Sequence, residues 1–65
     1  MPIIHIYCKN NKTLDMKRNV TRQICDSFVQ ETGVSAELVQ VFWHEMDDDN
    51  YARGGVLLCD RQQDK

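Results

Sequence analysis

Hydrophobic residues follow three different rhythms along this chain, and each rhythm predicts an element. In residues 2–8, Pro2-Ile3-Ile4-His5-Ile6-Tyr7-Cys8, alternation puts Pro2, Ile4, Ile6 and Cys8 on one face and Ile3, His5 and Tyr7 on the other. Proline is tolerated at the first residue of a strand, because its missing N–H removes no ladder bond there. A polar turn, Lys9-Asn10-Asn11-Lys12, comes next, and Thr13 stands where a helix N-cap belongs, with Asp15 in the first turn. From about residue 14, Met16, Val20, Ile24 and Phe28 recur every four positions beside Cys25 and Val29, while Asp15, Arg18, Asn19, Arg22, Asp26 and Gln30 cover the other side. This predicts an amphipathic helix with one buried stripe, closed by Gly33 in the left-handed conformation.

Ser35 to Leu38 reads as one short turn, and Val39 to Met46 is the strongest β-former in the chain. The two strands are separated by about 30 residues that include a helix, the length of a right-handed crossover, so they are expected to be parallel. After Asp47-Asp48-Asp49-Asn50, the sequence Tyr51-Ala52-Arg53-Gly54-Gly55 and the run Val56 to Cys59 predict a small hairpin, followed by a polar tail from Asp60 to Lys65. The fold class is therefore α/β: a single domain over residues 1–65, built as a small β-α-β unit with parallel strands and a short C-terminal hairpin. One helix covers one face of a two-stranded sheet. Whichever of the Ile3/Tyr7/Phe42 or Ile4/Ile6/Trp43 sets it takes, the other remains as an apolar patch. A homo-oligomer is the expected cover, with sheets of two subunits joined and the hairpins packed on neighbours.

Sixty-five residues lie near the lower limit for burying a private core, which strengthens the case for assembly. The net charge of −2 and the scattered Lys and Arg residues argue against a nucleic-acid partner. No apolar run approaches the roughly 20 residues that span a bilayer, and no secretory signal opens the sequence, so the expectation is no membrane and a cytoplasmic location. Cys8, Cys25 and Cys59 form an odd set with no C-x-x-C pair and read as reduced thiols. His5 and His44 lack the spacing of metal ligands, so no metal site is expected.

Taken together, the Met-Pro-Ile start, a β-α-β unit of this size, a second strand ending in Glu45-Met46 and the aromatic-x-x-Gly-Gly run Tyr51 to Gly55 resemble the 4-oxalocrotonate tautomerase group of the tautomerase superfamily. The resemblance spans nearly the whole chain. It implies small subunits assembled as dimers or hexamers, active sites between subunits, no cofactor, and an amino-terminal proline as catalytic base. Pro2 matches that proline once Met1 is removed. Lys12 falls where the family has an arginine that grips the substrate carboxylate; the charge survives but the bidentate fork does not. Gln40 falls at a second arginine, on the substrate's 2-oxo side. Tyr51 matches an aromatic residue lining the pocket, and Arg53 replaces a more usual aliphatic residue.

The chemistry that the resemblance implies is enol-to-keto proton transfer on a small 2-hydroxy-dienoate or 2-oxo acid. It needs a base that is free near neutral pH, and an α-amine, with a reference pKa of about 7.7–8.0, is close to that range before burial lowers it. The oxygen that gains negative charge needs a preorganised donor, for which Gln40, Lys12 and Arg53 compete. Carboxylates raise the pKa of a nearby amine, so the acid run Asp47 to Asp49 works against the base if it lies beside the pocket. Two alternatives stand beside this reading: a related dehalogenase or hydratase using the same proline, and a non-catalytic oligomeric scaffold of the same fold.

Overall fold

A computed structural model describes residues 1–61 and consists of two units joined end to end. The first holds strand β1 (Ile3–Lys9), helix α1 (Leu14–Thr32), a 3-10 turn at Ala36–Leu38 and strand β2 (Gln40–Met46). The second holds a 3-10 turn at Asp48–Asn50, a hairpin of β3 (Ala52–Arg53) and β4 (Val56–Leu57), and a 3-10 turn at Leu58–Asp60. β1 and β2 pair in parallel from Ile3↔Gln40 to Lys9↔Met46. The expected topology is thus present, with strand ends shifted by one residue.

The local signals act as their chemistry requires. Thr13 is extended and its hydroxyl accepts from the Met16 N–H at 3.1 Å, satisfying one of the free donors at the start of α1. At the other end Gly33 has φ 78°, and its N–H donates to the Val29 carbonyl at 2.9 Å. Gly54 and Gly55 have φ 60° and 81°, the double positive-φ turn whose twist suits a two-residue hairpin.

Helix α1 covers the face of the sheet that carries Ile4, Ile6, Val41 and Trp43, all half-buried, and leaves Ile3, Tyr7 and Phe42 exposed at 54%, 67% and 45%. The buried stripe is the point on which the sequence expectation needs correction. Ile24, Cys25, Phe28 and Val29 do face inward, but Met16 and Val20 are 51% and 40% exposed, and Lys17 and Thr21 take their places. A strict four-residue repeat turns about 40° past a full circle at each step, so over three steps its early members rotate well away from its late ones. The polar groups of β2 also need partners there: the Trp43 indole N–H donates to the Thr21 hydroxyl at 3.0 Å, and Lys17 pairs with Glu45 at 2.8 Å.

The chain is elongated, 45 × 23 × 15 Å, with a radius of gyration of 15.5 Å. A compact domain of this length has about 11 Å. It exposes 5038 Å², against about 4300 Å² for a folded monomer of its mass. Among the described residues only Leu58 is buried.

Candidate active site

The parallel register decides which candidate residues share a neighbourhood. Pro2 precedes β1 and Gln40 opens β2, so the two lie at the same end of the sheet, where the Gln40 N–H donates to the Pro2 carbonyl at 3.0 Å. That bond fixes the peptide unit next to the Pro2 ring. Pro2 is half-buried and alternates with Ile4 on the helix-covered face, while Gln40 shares the open face with Ile3. The Gln40 side-chain amide reaches the Met1 thioether at 3.4 Å.

Lys12, Tyr51 and Arg53 are at the opposite end. Lys12 follows β1 in an exposed turn and donates to the Asn11 side-chain oxygen at 2.7 Å. Tyr51 and Arg53 follow β2, with Tyr51 36% exposed and its carbonyl accepting from the Leu58 N–H at 2.8 Å. Arg53 pairs with Val56 across the hairpin, and its carbonyl accepts from the Arg61 guanidinium at 3.1 Å. Seven strand residues separate the two ends, a span of about 23 Å. Within one chain the five candidates therefore form two half-sites, one with Pro2 and Gln40, the other with Lys12, Tyr51 and Arg53.

Acidic groups surround the second half. Lys9 pairs with Asp48 at 3.5 Å, and the Asn10 side-chain amide bonds Asp47. The Cys59 thiol is pushed above its ordinary range by loss of hydration, then by the carboxylates of Asp60, Asp49 and Asp48. A thiol held up in this way forms less thiolate at a given pH. Cys59 is therefore expected to alkylate more slowly at pH 8 than the same thiol in an Asp60→Asn variant, with the gap closing as pH rises further. Peptide mass mapping after iodoacetamide treatment measures this, and equal rates in the two proteins would remove the acidic field from the account.

A concavity of about 480 Å³ is lined by Leu14, Lys17, Arg18, Thr21, Arg22 and Trp43 and contains none of the five candidates. Two of its cations are already engaged, Lys17 with Glu45 and Arg18 with Asp15 at 2.9 Å. Among the described residues no group of three or more His, Cys, Asp or Glu side chains is placed to hold a metal ion, and no helix is long and apolar enough to cross a membrane.

One cluster escaped the sequence reading. His5 and His44, on neighbouring strands, meet on the open face with His5 Nδ1 2.7 Å from His44 Nε2. Their rings stack with Phe42 and Tyr7 at centroid distances of 5.1 and 4.5 Å. Both histidines sit in alternating runs, but only the strand register brings them diagonally together.

Comparison with known proteins supplies the relationship. A family model described as Tautomerase enzyme matches residues 2–61. The chain is 32% identical over 62 residues to a 2-hydroxymuconate tautomerase of Bacillus subtilis, covering 95% of this chain and all of that one. The crystal structure of YwhB, a homologue of 4-oxalocrotonate tautomerase, superposes with a TM-score of 0.82 at 31% identity, covering 94% of this chain and 100% of the other. A second homologue of that enzyme gives 0.88 at 25% identity over 97% and 100%.

Proposed function

This chain belongs to the tautomerase family, and from that premise we propose that it is a cofactor-independent tautomerase acting on a small enol or 2-oxo acid, with Pro2 as general base. The observation that carries the reading is the separation of the two half-sites. The half-buried Pro2, tied by its carbonyl to β2, lies at one end of the sheet, whereas Lys12 and Arg53 lie a strand length away with Tyr51. Joining the two ends of different copies puts base, cations and aromatic wall around one substrate. The apolar face left open by α1 and the surface in excess of a compact monomer favour such an assembly, a dimer or hexamer.

With Met1 removed, the Pro2 nitrogen is a secondary amine that takes the proton from the enol oxygen or the carbon next to the carbonyl and returns it at the other position. Its ring fixes the direction of the lone pair, which holds the proton path in line. Lys12 and Arg53 bind the carboxylate, the Gln40 amide donates to the 2-oxygen as charge grows there, and Tyr51 keeps the pocket apolar. A neutral amide donor is worth about 1 kcal/mol net against about 1.5–3 for a charged one, so a substrate with one carboxylate is favoured over a dicarboxylate.

The test is a spectrophotometric one, on protein confirmed by mass to lack Met1. Phenylenolpyruvate and 2-hydroxymuconate are expected to ketonise faster than in buffer, with the higher kcat/KM on the monocarboxylate. Decay at the buffer rate on both would overturn the assignment.

A further inference from the structure

We infer that the concavity beside Trp43 is a second binding site, separate from both half-sites, for an aromatic monocarboxylate whose ring rests against Leu14 and Trp43 and whose carboxylate is held by Arg22. The site stands on observations that the tautomerase reading does not use, since none of Pro2, Lys12, Gln40, Tyr51 and Arg53 lines it. Its volume of about 480 Å³ lies within the range of small-molecule sites, about 300–1,000 Å³.

The chemistry of the occupant follows from the lining. The exposed Leu14 side chain, the Trp43 ring and the methylene stems of Lys17 and Arg18 make a bed that favours a flat, apolar body. Charge sets the other end. Lys17 pairs with Glu45 at 2.8 Å and Arg18 with Asp15 at 2.9 Å, so each of these cations is matched by a carboxylate. Arg22 differs. Among the described residues its guanidinium meets no carboxylate and donates to the neutral side-chain oxygen of Asn19 at 3.2 Å. One positive charge is left over, which suits a ligand with a single carboxylate and leaves a second carboxylate unmatched. The planar guanidinium fork fits that group with two parallel hydrogen bonds.

Thr21 supplies a further donor. Its oxygen accepts from the Trp43 indole N–H at 3.0 Å, and its hydroxyl proton remains available to a ligand. Thr32, on the same helix, donates its own hydroxyl proton back to the Phe28 carbonyl at 2.6 Å, a bond that Thr21 does not make to the carbonyl four residues before it. The Thr21 contact also makes Trp43 a reporter. Trp43 is the only tryptophan of the chain, so the protein gives a single indole N–H resonance. A carboxylate that draws on Thr21 changes the hydrogen bond on which that resonance depends.

Proton–nitrogen correlation spectra of protein lacking Met1 test this at pH 7.5 and constant ionic strength, with benzoate, its neutral isostere benzamide and the ringless acetate as probes. Benzoate is expected to move the indole resonance to saturation. Benzamide and acetate, each lacking one half of the recognition, are expected to bind at least about tenfold more weakly. Arg22→Gln, with circular dichroism to verify the helix, is expected to weaken benzoate about tenfold, the low end for a charge-assisted hydrogen bond because Arg22 is exposed to water. Lys12→Ala is expected to titrate as wild type does. No saturable shift, an equal response to the three probes, or wild-type affinity in Arg22→Gln overturns the inference. So does a shift that is lost in Lys12→Ala, because benzoate would then sit in the catalytic cleft. A protein inactive on enols that still binds benzoate through Arg22 overturns the tautomerase reading and supports this site.

Discussion

Pro2→Ala is expected to lower kcat/KM on an active enol substrate by about 100-fold while leaving the assembly unchanged. General acid–base groups contribute roughly 100- to 10,000-fold, and the low end applies because alanine at the same position still supplies an α-amine once Met1 is gone. What alanine loses is the ring: φ becomes free and the nitrogen lone pair is no longer aimed by the backbone. The Gln40 N–H continues to anchor the carbonyl of residue 2, so the strand and its register survive the change. Steady-state kinetics read the loss, with sedimentation confirming an unaltered mass. Wild-type activity in the variant would place the base elsewhere and leave Pro2 only the role of opening a strand.

Mixing inactive variants gives the second large effect. Pro2→Ala lacks the aimed base at one end of the sheet, and a Tyr51→Ala, Arg53→Ala double variant lacks the wall and one of the two cations at the other. Unfolded together in equal amounts and refolded, they are expected to recover about a quarter of wild-type activity, because a site between copies draws each half independently and finds both intact one time in four. A site confined to one chain would recover nothing, since every chain carries a defect. The control is each variant refolded alone. Activity in the mixture no higher than the mean of those two would separate the residues functionally and remove the shared site.

The sequence shows most of the fold because its signals are local. The Thr13 cap, Gly33, the Gly54–Gly55 turn and the β-rich run through Trp43 each act within a few residues, and each appears in place. Facing directions were less legible. Met16 and Val20 looked interior by their four-residue spacing, yet helical drift and the needs of Trp43 and Glu45 bring Thr21 and Lys17 inward instead. The His5–His44 contact lay beyond reach because it depends on strand register, which one sequence does not specify. For the candidate site, the resemblance supplied Pro2, Lys12, Gln40, Tyr51 and Arg53 as a set. It could not give their split between two ends, which follows from the parallel pairing and the length of the strands.

That split fixes a stoichiometry. If the two halves meet between copies as proposed, every protomer lends one tip to a cleft on its left and the other tip to a cleft on its right, so a closed ring holds as many complete clefts as protomers and wastes nothing. An arrangement that fails to close has two idle ends, one with a base and no cation to hold a substrate for it, the other with cations and no base.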